Sequence, residues 1–336
     1  MSEALGTLDA PVLVLADLDG TRPTDPALEL VAAARTLTGG GGDVVALTLG
    51  PVEAEASAAL AAAGANRLLV ADLGGERAQA AAGADAVVAA VHEVAPGAVL
   101  VSSDYRGKET AGRAAVLLDS ACVSDVADLR VVDGALHADR LVLSGSWSTT
   151  MSANAHTVHP PILAVRPGSV EVPDASVDDA APLPAVALEA AVSPEAAAVR
   201  LVSRESTAAA AGPDLAGART VVVGGRGVDG DFDLVRSLAE PLGAAVGATR
   251  VACDEEWIER SAQIGQTGVS IAPRLYIGLG VSGAIHHTSG IQGAGTIVAV
   301  CDDSEAPIFE MADFGVIGDV AEVVPQMVAE LARQCG

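Results

Sequence analysis

Residues 275–287 read LYIGLGVSGAIHH. Leu275 to Leu279 form a short apolar run with Tyr and Ile, the composition of a buried strand. Gly280 and Gly283 then break the pattern. A strand that ends in glycine turns back sharply and leaves backbone N–H groups exposed to a ligand. Two histidines follow directly, in a chain with six histidines and only seven aromatic residues.

The same design recurs on either side. RTVVVGGRG (219–227) is a strand running into a glycine turn, and DFDLVRSLAEPLG (231–243) reads as the helix after it. TIVAVCDD (296–303) is a third strand, and 321–334 a closing helix. Further upstream, strands are expected at 12–16, 43–49, 67–72 and 98–102. They alternate with helices at 26–37, 53–64, around 79–93 and at 106–121; Pro26 opens the first and Gly64 stops the second. Alternation of this kind implies an α/β fold, a mostly parallel sheet with helices on both faces. Shorter strands are expected in LRVVDG, RLVLSG and ILAVRPG. The Pro-, Ala-, Asp- and Val-rich stretch 167–195 reads as an interdomain connector with room for one edge strand. The domains expected are 1–190, with the connector, and 205–336.

Half of the 336 residues are hydrophobic, mostly Ala, Val and Leu, so a large core of small aliphatic contacts can form. The net charge is −25, with Lys108 the single lysine. That balance excludes nucleic acid and anionic membrane surfaces as partners, because both demand basic patches. The four cysteines form no CxxC pair, so neither a zinc site nor a redox dithiol is signalled. No run is long and apolar enough for membrane insertion, and no secretory leader pattern is present. A soluble, reducing, cytoplasmic setting is expected.

Gly225, Gly227 and Gly230 match G-x-G-x-x-G between a strand and a helix, which makes an NAD-dependent Rossmann dehydrogenase one reading. Arg226 inside that turn argues against it, since a bulky cation crowds a closely approaching pyrophosphate. So does the dense polar set in GATR (247–250), QIGQTG (263–268), SGAIHHTSG (282–290) and CDDSEAPIFEMADFG (301–315).

These blocks, in this order after GGRG, resemble the α subunit of electron transfer flavoproteins. VLVLADLDG and LDSACVSDV extend the resemblance to the first half. The resemblance implies an N-terminal α/β domain and a C-terminal Rossmann-like (DHS-like) domain that holds FAD. It implies a heterodimer with an electron transfer flavoprotein β subunit, and an electron carrier rather than a substrate-converting enzyme. Electrons would come from a flavin dehydrogenase, typically of the acyl-CoA type of fatty acid β-oxidation, and pass to a quinone oxidoreductase. A divergent carrier serving a specialised pathway, and an assembly subunit that has lost its flavin, are the other readings.

The resemblance carries FAD-binding roles onto Arg226, Thr249, Arg250, Ile264, Gly265, Gln266, Thr267, Ser282, Gly283, Ala284, Ile285, His286, His287, Cys301, Asp313 and Phe314, and no catalytic or metal-binding ones. His287 would donate to the flavin edge that becomes negative on reduction. Arg250 would lie over the ring system, and Thr267 would reach its central nitrogen. Ser282 would open a turn at a helix N-terminus suited to phosphates. Arg226 would face the pyrophosphate or adenosine, and Asp313 the ribose. His286 stands where the family has Gln, Cys301 where it has Asn, and Val269 where it has Lys. These departures remove an amide and a basic contact.

Overall fold

The computed structural model describes residues 6–74, 79–142, 147–172, 180–203 and 215–335. The chain divides into two compact units.

The first unit is built on β1 (Val12–Leu15), the short hairpin of β2 (Leu18–Asp19) and β3 (Arg22–Pro23), α1 (Asp25–Leu37), β4 (Val44–Thr48), α2 (Ala54–Ala63), β5 (Arg67–Val70), α3 (Ala80–Val94), β6 (Ala98–Ser102) and α4 (Tyr105–Leu117). There follow β7 (Cys122–Val132), β8 (Ala135–Val142), β9 (Trp147–Asn154), β10 (Ile162–Val165), β11 (Ala185–Ala187) and α5 (Pro194–Ala197). Nine strands form one sheet in the order β11-β5-β4-β1-β6-β10-β7-β8-β9. Val12 and Val14 face a core shared with α1 and α2, while Leu13 and Leu15 face one shared with α3 and α4. A strand apolar on both faces is what a doubly covered parallel sheet requires. The helix starts are set locally. The Thr24 hydroxyl accepts from the Ala27 amide ahead of α1, and Asp104 accepts from the Gly107 amide at 2.7 Å ahead of α4. Gly64, at φ 121°, ends α2.

Two features of this unit depart from the sequence reading. Over the described residues of 122–154, β7, β8 and β9 form a long antiparallel ladder where only short strands are expected. Asp133 and Gly134, at φ 50° and 80°, make the two-residue hairpin turn that joins β7 to β8. The stretch read as a connector is, over its described residues, knitted to the first unit. β11 pairs parallel to β5, the Ser57 hydroxyl donates to the Leu183 carbonyl at 2.9 Å, and Asp85 accepts from the Ser193 amide at 2.8 Å. All three residues of β11 are exposed, which is why its sequence carries no apolar period.

The second unit contains β12 (Thr220–Gly224), α6 (Phe232–Ala239), β13 (Ala245–Ala248), α7 (Arg250–Asp254), β14 (Leu275–Leu279), α8 (Ile285–Thr288), β15 (Thr296–Cys301), β16 (Phe314–Ile317) and α9 (Val320–Cys335). Its sheet is wholly parallel in the order β13-β12-β14-β15-β16. One face packs on α6 and α9 around Phe232, Val235 and Leu238. The other packs around Tyr276, Ile264, Ile271 and Ile308. β13 and β16 escape the sequence reading: AVGA is too small to signal a strand, and FGVI is an exposed edge. α6 stops at Ala239 rather than 243, and a 3-10 turn over Glu240–Leu242 takes up Pro241.

Gly280, at φ 62°, is one of the tight points of this unit. A Cβ there would lie 2.5 Å from the Gly227 Cα. Gly280→Ala should therefore cost about 3 kcal/mol or more, from left-handed strain plus a backbone clash. Gly243→Ala should cost about 1 kcal/mol, because φ is 58° but no atom lies within 4 Å of the new Cβ. Denaturant midpoints of the two variants should separate in this order; equal values would mean that the turn relaxes freely.

Candidate functional site

In the second sheet the chain moves from β12 outward to β13, then crosses back to β14 and on to β15 and β16. The crevice outside the carboxyl ends of β12 and β14 is thus the topological switch point, where open α/β sheets bind ligands. In the first sheet the corresponding place, beyond β1 and β6, is occupied by the chain's own Arg106–Asp17 ion pair. Burial there pushes the Asp17 carboxyl up despite the adjacent guanidinium.

Two glycine turns line the second crevice. The Gly225 amide donates to Leu279 O at 2.9 Å and the Gly227 amide to Gly280 O at 3.0 Å. A Cβ on Gly225 would fall 2.3 Å from the Gly280 oxygen. The glycines of the apparent dinucleotide fingerprint therefore serve turn-to-turn packing. Arg226 projects from the first turn, exposed and without an ion pair among the described residues.

The second turn continues through Ser282, Gly283 and Ala284. Gly283 sits at φ 83°, where a Cβ would meet the Ile308 amide nitrogen at 2.3 Å. Ser282 O accepts from Ile308 N at 3.1 Å. Among the described residues, the amides of residues 282–286 donate to no acceptor. Ser282, Ala284, Ile285 and His286 are exposed, so these N–H groups form an anion cradle at the mouth of the crevice. The helix behind them is a single turn, so the turn itself supplies the donors.

The loop from Gln263 to Val269 packs on this turn. Ile264 N donates to Ala248 O at 2.9 Å, and Gln266 N donates to His286 O at 2.7 Å. Gly265, at φ 140°, leaves room for that carbonyl: a Cβ would be 2.3 Å from it. Ile264 buries its side chain in the core, so only its backbone is available to a site. His286 Nδ1 lies 2.7 Å from Gln266 Oε1, which can only accept, so this nitrogen carries the proton. The Thr267 hydroxyl accepts from Gln263 Nε2 at 2.9 Å.

Thr249 and Arg250 begin α7 at the end of β13. The Thr249 hydroxyl oxygen is buried without a partner. Arg250 is exposed and pairs with Asp254 at 3.1 Å, and Arg260 shares that carboxylate at 3.3 Å. The segment that carries both guanidiniums also carries Glu255, Glu256 and Glu259, so Arg250 is a local positive group in acidic surroundings.

His287 does not play the donor role expected of it. Nδ1 lies 3.1 Å from Ile264 O and Nε2 lies 2.8 Å from the Tyr276 hydroxyl. A carbonyl only accepts, so Nδ1 carries the proton and Nε2 accepts from Tyr276. The ring is 6% exposed and both nitrogens are used within the protein. Burial lowers its pKa to about 4, and burial likewise pushes the Tyr276 phenol well above its ordinary value. His287 is a rivet between loop, helix and strand.

Asp313 and Phe314 also fall elsewhere. The Asp313 carboxylate accepts from Ile297 N at 2.8 Å and its own amide donates to Ile297 O at 2.9 Å, which ties it to the first residues of β15. Phe314 pairs with Val298. Both lie toward the amino ends of the strands, while the glycine turns lie at the carboxyl ends. Cys301 does reach the carboxyl end, buried, with Sγ 3.8 Å from Asp302 Oδ1. The aspartate beside it is Asp319, which the sequence reading missed. Gly318 N donates to Cys301 O at 3.0 Å, and Asp319 Oδ1 accepts from Ala321 N at 2.8 Å at the start of α9. An aspartate directly before a helical run was the available signal.

A family model described as the electron transfer flavoprotein FAD-binding domain matches residues 214–292, and one described as the electron transfer flavoprotein domain matches residues 12–193. The electron transfer flavoprotein subunit alpha of Mycobacterium leprae is 38% identical over 313 residues, covering 92% of this chain and 94% of the relative. That of Bacillus subtilis is 33% identical over 336 residues, covering 96% and 97%. The mitochondrial one of Arabidopsis thaliana is 36% identical over 241 residues, covering 70% and 65%.

The buried His287 makes stability depend on pH. Its ordinary value is 6.5 and its folded value about 4, so the unfolded chain binds the proton first. Stability should fall as pH drops through that window, by on the order of 3 kcal/mol. His287→Gln keeps a donor for Ile264 and an acceptor for Tyr276 but does not titrate. Unfolding midpoints from pH 7 to 4 should decline less steeply for the variant; parallel declines would show that His287 protonates without penalty.

Proposed function

The chain belongs to the electron transfer flavoprotein alpha-subunit family, and we propose that it is the FAD-carrying half of a heterodimer that relays electrons between a flavin dehydrogenase and a quinone oxidoreductase. The FAD-binding domain is what the matching family model describes, and the name subunit alpha of the relatives implies a β partner. The donor, of acyl-CoA dehydrogenase type and thus placed in fatty acid β-oxidation, and the acceptor are part of the proposal. So is a cytoplasmic setting. No helix among the described residues is long and apolar enough to cross a membrane.

The second unit's own features fit the cofactor. The single observation that carries the reading is the cradle of free amides at residues 282–286, in a crevice whose glycines leave no room for a Cβ. A diphosphate group suits it, and Arg226 adds charge at the neighbouring turn. The buried, unpartnered Thr249 hydroxyl is a further polar atom awaiting a ligand or water. FAD, when bound, would supply exchange of one or two electrons. The residues hold and tune it. Arg250 places a permanent positive charge near the crevice and stabilises added negative charge. Thr267, Gln266 and His286 present polar edges from one braced loop. Gly265, Gly283, Ala284 and Ile285 contribute backbone, as Ile264 does. Cys301 and Asp319 stand at the far end of the sheet's mouth, where adenosine would lie. His286 and Cys301, two of the three departures from the family pattern, support service to a specialised donor as the second reading.

Co-produced with its β subunit, the protein should carry one non-covalent FAD per heterodimer. Release by denaturation followed by chromatography identifies the flavin; FMN, or no flavin from an intact heterodimer, would overturn this function. In the same complex, Arg250→Ala should lower the flavin midpoint potential by on the order of tens of millivolts, because a solvent-exposed charge is partly screened. Reductive titration of variant and parent measures this. An unchanged potential with FAD bound would place Arg250 away from the ring.

A further inference from the structure

Gln263 is 2% exposed and belongs to no role described so far. Its backbone is fixed twice over: it bridges in parallel to Ala248, and its carbonyl accepts from Val269 N at 2.8 Å. A Cβ on Gly268 would lie 2.2 Å from that carbonyl, so the loop is as tight as its backbone allows. The side chain reaches Thr267 across this turn, Nε2 to Oγ1, at 2.9 Å. The amide oxygen is buried without a partner. The reverse orientation of the amide would leave an N–H₂ group buried without an acceptor, the costlier arrangement.

An amide nitrogen only donates. The Thr267 oxygen therefore accepts on its buried side, and its single hydrogen points away from Gln263. Among the described residues nothing accepts that hydrogen. Thr267 is exposed, and its loop is braced on the 282–287 turn through the Gln266–His286 contacts. We propose that Gln263 is a positioning residue: its buried amide fixes the Thr267 hydroxyl as an outward-facing hydrogen-bond donor to the bound flavin. This rests on the reading of the second unit as the FAD site. A free hydroxyl can donate or accept as the ligand demands. Held by Gln263, it is biased toward donation, which favours cofactor forms whose ring atoms accept over forms in which those atoms carry hydrogen.

The test uses the heterodimer, stripped of flavin and titrated with FAD while flavin fluorescence is followed. Gln263→Met keeps the volume and removes the donor; Thr267→Val removes the hydroxyl. Each should raise the Kd for oxidised FAD about 3- to 10-fold, the worth of one net hydrogen bond. The double variant should bind no worse than Thr267→Val alone, and Thr267→Ser should retain the parental Kd. If Gln263→Met compromises folding, Gln263→Leu replaces it: it also removes the donor without burying a charge, and should weaken FAD only while Thr267 is present. Losses from the two sites that multiply, or a parental Kd in either single variant, would overturn the proposal. A parent heterodimer that binds no FAD at all would bring down the functional reading and this proposal with it.

Discussion

The second unit depends on a contact between two backbones. Gly225 and Gly227 lie so close to Gly280 that any side chain at these positions would overlap main-chain atoms. Two hydrogen bonds, from Gly225 N to Leu279 O and from Gly227 N to Gly280 O, hold the turns together. Because β12 and β14 are neighbours in a parallel sheet, their carboxyl ends are about 4.8 Å apart, and only glycine lets both chains turn there without splaying the strands. Everything the site offers hangs on this contact. The turn at 280–284 can expose its amides only because the turn at 225–227 supports it from behind.

A second layer of constraint is polar and buried. Tyr276 from β14, His287 from α8 and Ile264 from the loop that follows α7 are joined by one line of hydrogen bonds with a single self-consistent assignment of donors. Gln263 extends the logic to Thr267. In a low-dielectric interior a fully satisfied line such as Tyr276–His287–Ile264 selects one arrangement of three separate elements, whereas Gln263 keeps a buried amide oxygen without a partner. The exposed groups of the site, Arg226, Arg250, Gln266 and His286, then sit on a frame that does not need them for its own stability. Such a frame leaves surface charge and hydrogen bonding free to vary.

Much of this was legible in the chain itself. The runs VLVL, VVALT and TVVVG are apolar but for a terminal threonine in two of them, and the glycines or caps that follow fix where they end. The glycine turns and the crowded motifs between 225 and 301 identified the site region and the family. The edge strand allowed for in 167–195 is present as β11. What failed did so for physical reasons. β16 is an exposed edge of four residues with no polar–apolar alternation to mark it, and AVGA of β13 is too small to advertise burial. The ladder from β7 to β9 mixes charged and apolar residues because its outer strand faces solvent on both sides.

The sequence by itself determined the alternation of strands and helices, the glycine positions, the acidic balance and the residue set from which the site is made, because these follow from local propensity and short-range pattern. Only the tertiary structure decided which members of that set reach the same place. Asp313 and Asp319 are six positions apart and chemically identical, yet a strand separates them: one is tied to the amino end of β15 and the other stands at the carboxyl end of the sheet. His286 and His287 are adjacent, yet the helical turn sends one to the surface and the other onto Tyr276. The direction of a side chain is set by the packing of elements far apart in sequence, and no local pattern carries that information.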